Sequence, residues 1–160
     1  MRNIVQFDAA RCSGCWACTA TCIDQNDLTV ASCRDAWRWV APAKDNPLSF
    51  AMGGCMHCGD APCMAACPRG CFTRRESGLV ALDPEGCVGC GRCAGACPHD
   101  AIRFREKKAM KCNGCFERVE AGLPPACQKI CPTGALTFRI ENTQSVSDNQ
   151  KGGKHDESDP

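Results

Sequence analysis

Apolar and polar positions alternate along this chain only in short runs. Ile4–Phe7 and Leu79–Leu82 each predict a strand of about four residues. Cys97-Pro-His-Asp-Ala-Ile-Arg-Phe and Cys131-Pro-Thr-Gly-Ala-Leu-Thr-Phe echo one another, and each reads as a helix turn running into a strand. Between Arg34 and Gly54, Trp37, Trp39 and Val40 precede Pro42, and Leu48 and Phe50 follow Asp45-Asn-Pro47. That pattern predicts a β-hairpin with its turn near Ala43–Pro47. Glu117–Gly122 predicts a short helix, closed by Gly122 and Pro124–Pro125. Residues 141–160 are almost wholly polar and predict a disordered tail. The pattern also repeats. A shift of 75 residues lays Val5 on Val80, Phe7 on Leu82, Asp8 on Asp83 and Gly14 on Gly89.

Composition makes these short elements a problem of stability. Of 160 residues, 18 are cysteine, and the hydrophobic share of 44% counts them. Without them roughly a third of the chain is ordinarily apolar, with three Trp, six Phe and no Tyr. A core of that size needs support from disulfides or metal. The longest stretch free of charge, Asn46–Gly59, is too short and too mixed for a membrane helix. The first residues carry no apolar segment and no twin arginine, so no export signal is expected. A cytoplasmic location is the default expectation, with membrane association or co-export beside a signal-bearing partner as the alternative. In a reducing cytosol, dense cysteines bind metal more often than they form disulfides. The net charge of +1 gives no broad field for nucleic acid.

The spacing of the cysteines narrows the metal. They fall into four groups: Cys12, Cys15, Cys18, Cys22; Cys55, Cys58, Cys63, Cys67; Cys87, Cys90, Cys93, Cys97; and Cys112, Cys115, Cys127, Cys131. Cys33 and Cys71 are left over. The first and third groups read C-x2-C-x2-C-x3-C, and Pro68, Pro98 and Pro132 follow the last three groups. This is the bacterial ferredoxin signature for [4Fe–4S] clusters. Three closely spaced thiolates let a loop wrap three corners of the cube, with loop amides directed at sulfur. The fourth cysteine, one helical turn further on, is expected at the start of a short helix and reaches the other cluster of a pair. Structural zinc also takes four thiolates, but its sites usually pair two C-x2-C units.

Beyond cysteine, four local segments carry a family resemblance. They are Asp8-Ala-Ala-Arg-Cys12-Ser-Gly-Cys15, Cys55-Met-His-Cys58-Gly-Asp-Ala-Pro-Cys63, Cys87-Val-Gly-Cys90, and Lys111-Cys112-Asn-Gly-Cys115-Phe-Glu-Arg-Val-Glu-Ala-Gly. Over residues 1–140 the chain resembles the four-cluster iron–sulfur subunits of complex molybdoenzymes, of the dimethyl sulfoxide reductase type. Relatives serve polysulfide, thiosulfate and nitrite reductases, formate dehydrogenases and formate hydrogenlyases. The resemblance implies an α+β fold of tandem ferredoxin-like dicluster lobes, with cysteine groups one and four in one lobe and two and three in the other. Residues 1–33 and 106–140 would form the first lobe, 34–52 a connecting hairpin, and 53–105 the second lobe. The ligand sets it implies are Cys12, Cys15, Cys18 with Cys131; Cys112, Cys115, Cys127 with Cys22; Cys55, Cys58, Cys63 with Cys97; and Cys87, Cys90, Cys93 with Cys67.

The function so implied is electron transfer through four [4Fe–4S] clusters, with no catalysis of its own. Its partners would be a molybdopterin oxidoreductase subunit and a quinone-reactive membrane-anchor or other redox subunit. The alternative is a polyferredoxin-type carrier in a hydrogenase, formate or flavin-dependent complex. Cys33 and Cys71 are expected to be shielded small residues. His57 is expected to be a polar cap hydrogen-bonded near a cluster, and His99 to face solvent. Trp16, Trp37 and Trp39 are expected to pack and shield. The run Arg103, Arg105, Lys107, Lys108, Lys111 reads as an offset to cluster charge or a dock for an acidic partner. Four oxidised clusters with their thiolates would bring the net charge to about −7, so that basic excess does not signal nucleic acid.

Overall fold

A computed structural model describes residues 4–29, 31 and 35–140. The predictions for Cys33 and for the tail lie outside the described residues. Among the described residues eight short strands form four separate two-stranded antiparallel sheets, joined by five short helices. Strand β1 (Val5–Phe7) pairs with β8 (Leu136–Phe138), with Val5 opposite Phe138. This pairing ties the first described residues to the last ones. The hairpin expected between Arg34 and Gly54 is present as β2 (Arg38–Pro42) and β3 (Phe50–Gly54). Strands β4 (Phe72–Arg74) and β5 (Val80–Leu82) form the third sheet.

Strands β6 (Arg103–Arg105) and β7 (Lys108–Met110) form the fourth. Glu106 and Lys107 between them both have positive φ (51° and 65°), as a type I′ turn requires. The expected lobe boundary at residue 105 falls within this hairpin, and β7 stays with the segment before it. Ala109 of β7 packs with Ala61, Phe72, Val80 and Ile102. A second apolar group joins Ile4, Val5, Leu136 and Phe138 of the terminal sheet to Leu79 and Val119.

The helices are α1 (Ala17–Gln25), α2 (Pro62–Ala65), α3 (Arg92–Gly95), α4 (Phe116–Glu120) and α5 (Ala126–Lys129). Three of them are a single turn, and their position corrects one expectation. The fourth cysteine does not open these helices. Cys63, Cys93 and Cys127, the third of each group, lie in the helix, and Cys67, Cys97 and Cys131 follow its end. The cause is the next residue. Pro68, Pro98 and Pro132 disfavour helical backbone at the cysteine before them. The first group lacks that proline, since Ile23 follows Cys22, and α1 runs on for nine residues with both Cys18 and Cys22 inside it. Among the described residues no helix is long and apolar enough to cross a membrane.

Candidate metal centres

In three of the four groups the first C-x2-C segment bends back on its own first sulfur. The residue two after the first cysteine is left-handed in all four groups: Gly14 (φ 67°), His57 (48°), Gly89 (71°) and Gly114 (72°). The bend turns that residue's N–H towards the thiol. His57 N donates to Cys55 Sγ at 3.4 Å, Gly89 N to Cys87 Sγ at 3.4 Å, and Gly114 N to Cys112 Sγ at 3.3 Å. A second pattern follows the C-x3-C-P segments, where the amide four residues on donates to the last cysteine. Cys71 N donates to Cys67 Sγ and Ala101 N to Cys97 Sγ, both at 3.4 Å. Amide donors aimed at sulfur favour thiolate over thiol and stabilise the charge of an iron–sulfur core.

The tight loop makes one glycine substitution costly. A Cβ on Gly89 would strike the backbone carbonyl of Lys107 and would sit at positive φ, whereas one on Gly91 (φ 78°) would meet no atom within 4 Å. Gly91→Ala should therefore cost only the left-handed backbone, about 1 kcal/mol. Gly89→Ala should cost about 2–3 kcal/mol or more, because the β6–β7 turn must also move. Denaturant midpoints of the two loaded variants check this order, and equal midpoints would contradict it.

Around these loops the cysteines gather from distant segments. Cys12, Cys15 and Cys18 line one cavity together with Cys131. Cys55, Cys58 and Cys63 line another with Cys97. Cys87, Cys90 and Cys93 line a third with Cys67, and Cys71 lies on its wall. Helix α1 packs against α5, and burial pushes the Cys22 thiol up, helped by Cys112 and Cys127 beside it. Cys115 is likewise raised by burial, then by Cys112. Burial pushes Cys127 up to about 12, against the pull of Arg38. Burial, with Cys55 beside it, pushes Cys58 up to about 11. Such crowded thiols keep their protons until iron replaces them, so cluster assembly releases protons.

Two thiols run the other way. At Cys67 and Cys131 burial acts upward but is outweighed: by the Cys71 and Arg69 amides at Cys67, and by the Thr133 hydroxyl and the Leu136 amide at Cys131. The donor set fits [4Fe–4S] clusters: thiolates alone, four to a group, with amides on the sulfurs. Zinc would draw its four thiolates to about 2.3 Å from a single ion. Among the described residues no three His, Cys, Asp or Glu converge closely enough for that.

His57 is fully buried, and its Nδ1 accepts the Val80 N–H at 3.0 Å. Burial, then Lys111, Arg38 and Arg74, hold its pKa well below the usual histidine range. It is a neutral, hydrogen-bonded wall of the Cys55 cavity, as the polar-cap reading expects. His99 is exposed, and Cys71 is buried. Trp37 packs against Cys55, Ala101 and Cys112, and the Trp39 ring covers Gly53. The basic run does not act as one surface. Arg103 pairs with Asp100 and Lys108 with Glu85, each at 3.1 Å, while Lys111 is buried.

Sequence reasoning missed Arg38, which is fully buried in β2. The signal was there in the strand period. Arg38 is in phase with buried Val40, and Trp39 lies on the other face.

Known proteins agree with this chemistry. The model of the 4Fe-4S dicluster domain family matches residues 48–141. The chain belongs to the 4Fe-4S dicluster family. Its cofactors are four [4Fe–4S] clusters. One relative is an electron-transfer subunit by name. The thiosulfate reductase electron transfer subunit PhsB of Salmonella typhi is 39% identical over 150 residues, covering 88% of this chain and 78% of that protein. The B subunit of the anaerobic dimethyl sulfoxide reductase of Escherichia coli is 36% identical over 144 residues, 82% of this chain and 70% of that subunit. The formate dehydrogenase-O iron-sulfur subunit of Escherichia coli is 35% identical over 161 residues, 88% of this chain but 54% of that protein. The chain is an iron–sulfur electron-transfer subunit of the type found in molybdoenzyme complexes.

Proposed function

We propose that the chain passes single electrons between a catalytic molybdopterin subunit and a quinone-reactive or other redox partner, and has no substrate chemistry of its own. Its ligands would be Cys12, Cys15, Cys18 and Cys131; Cys22, Cys112, Cys115 and Cys127; Cys55, Cys58, Cys63 and Cys97; and Cys67, Cys87, Cys90 and Cys93. The observation that carries this reading is the gathering of distant cysteines around common cavities, with backbone amides on their sulfurs. A [4Fe–4S] cluster takes up and gives up one electron at a time. With four thiolates per cluster no iron keeps an open position for substrate. The loops hold the sulfurs, the amides and shielding side chains set the potential, and the apolar wall excludes water.

The same reading divides the fold into two lobes. One holds β1, α1, α4, α5 and β8, and the other holds β4 to β7 with α2 and α3. Cys15 and Cys90 are exposed, and they belong to different sets. Electrons would enter at one of these sets and leave at the other. A molybdopterin subunit would dock at one end and a membrane-anchored or soluble redox subunit at the other.

Iron and sulfide analysis of protein purified without air tests the cluster assignment. Four cubes of four irons give about sixteen irons and as many sulfides per chain. Stoichiometric zinc without iron would overturn it. The chain that co-purifies tests the partner: a large pterin-containing subunit supports the reading, and a hydrogenase subunit replaces it with a hydrogenase carrier.

A further inference from the structure

Among the described residues two cations are buried, Arg38 and Lys111, and no described carboxylate is buried with them. Arg38 is 0% exposed and Lys111 is 4% exposed, while every described Asp and Glu is exposed. An isolated buried charge is costly unless an opposite charge lies close. Backbone carbonyls meet only part of the need. Arg38 Nη2 donates to Cys55 O at 2.6 Å and Nη1 to Gly53 O at 3.4 Å, while its Nε has no partner. Lys111 Nζ donates to Val80 O at 2.5 Å and to Cys112 O at 2.7 Å.

The cysteines beside these cations belong to two sets: Arg38 bonds to the carbonyl of Cys55, and Lys111 bonds to that of Cys112 and to that of Val80, which lines the Cys55, Cys58, Cys63 and Cys97 cavity. Cys112, Cys127 and Cys22 bear on Arg38 from one set, and Cys55 from another. Lys111 precedes Cys112 of the first set and acts on Cys63 of the second. Neutral His57 feels both cations. A loaded oxidised cluster with its four thiolates carries about −2, and one more electron makes about −3. A fixed positive charge in this dry interior therefore stabilises the reduced form more than the oxidised one.

Resting on the ligand sets proposed above, we propose that Arg38 and Lys111 are redox-tuning residues: fixed cations at the junction of the Cys22/Cys112/Cys115/Cys127 and Cys55/Cys58/Cys63/Cys97 clusters that raise both reduction potentials. Raising the two together leaves the step between them little changed, and each cation also offsets charge as an electron passes. Neither residue is a ligand. They act through the clusters, so they are positioned charges and not catalytic groups.

The test is a potentiometric titration of the loaded, full-length protein followed by EPR, on four variants. Arg38→Met and Lys111→Met remove the charge at similar length, and Arg38→Lys and Lys111→Arg keep it. Each neutral variant should shift the reduction equilibrium of the nearby clusters about tenfold towards the oxidised form, which is about 59 mV lower for one electron. The charge-keeping variants should stay within about threefold of wild type. The cluster of Cys67, Cys87, Cys90 and Cys93 is the internal reference and should not move.

Unshifted potentials in a fully loaded Arg38→Met protein would overturn the proposal, as would an equal fall in Arg38→Lys. If Arg38→Met takes up too little iron to titrate, Lys111→Met and Arg38→Lys decide between the same outcomes. Failure of the ligand assignment is seen separately, in the iron content and EPR of the wild-type protein.

Discussion

Anaerobic removal of iron and sulfide should unfold the described body of this protein. Each sheet has only two strands, and an isolated two-stranded sheet is at best marginal in water. Three helices are single turns, far below the length at which a helix holds by itself. The apolar group around the terminal sheet joins only a few aliphatic and aromatic side chains, with Cys127 among them. Two buried cations would lose the anions that face them, and thiols such as Cys22 and Cys127 would remain buried and crowded.

Magnitudes decide the direction. A single structural zinc supplies about 10–16 kcal/mol in peptides that fold on metal. A whole domain is usually stable by only about 5–15 kcal/mol. Loss of several metal groups of that kind exceeds what the remaining contacts could hold. Chelation under reducing conditions, followed by circular dichroism and amide exchange, checks this. Loss of protection in β1, β5 and β8 is expected, and persistent protection there after complete iron loss would refute it.

Cys131→Ser should empty a site built more than a hundred residues earlier in the chain. Cys131 lies in the cavity of Cys12, Cys15 and Cys18, and it follows α5 at the start of the segment that leads to β8. The β1–β8 pairing brings these two ends of the chain together. The variant should lose about four of about sixteen irons, together with the EPR signal of that one cluster. Local pairing in the sequence would predict damage at Cys112, Cys115 and Cys127 instead. Damage confined to that set would show the crossed assignment to be wrong.

The fold was partly legible in the pattern alone. Ile4–Phe7, Leu79–Leu82 and the hairpin around Ala43–Pro47 were visible because alternation and turn residues are local signals. The helix at Phe116–Glu120 was visible from its closing glycine and prolines. The position of the fourth cysteine was misjudged, although the deciding prolines stood next to it. The boundary near residue 105 depends on which strand β7 joins, and three residues of strand carry too little pattern to say.

The sequence by itself determined the chemistry of this protein. Thiolate spacing is set along the backbone, so sixteen cysteines in four closely spaced groups name the iron–sulfur cofactor without any knowledge of the fold. Only the tertiary structure decided what surrounds those thiolates. Whether Arg38 and Lys111 face water or cysteines depends on how β2 and β7 pack, and charge acts through space with no regard for distance along the chain. His57 becomes a neutral wall because β5 supplies its hydrogen bond, and Cys131 meets Cys12 because β8 pairs with β1. These are long-range contacts, and no local run of residues encodes them.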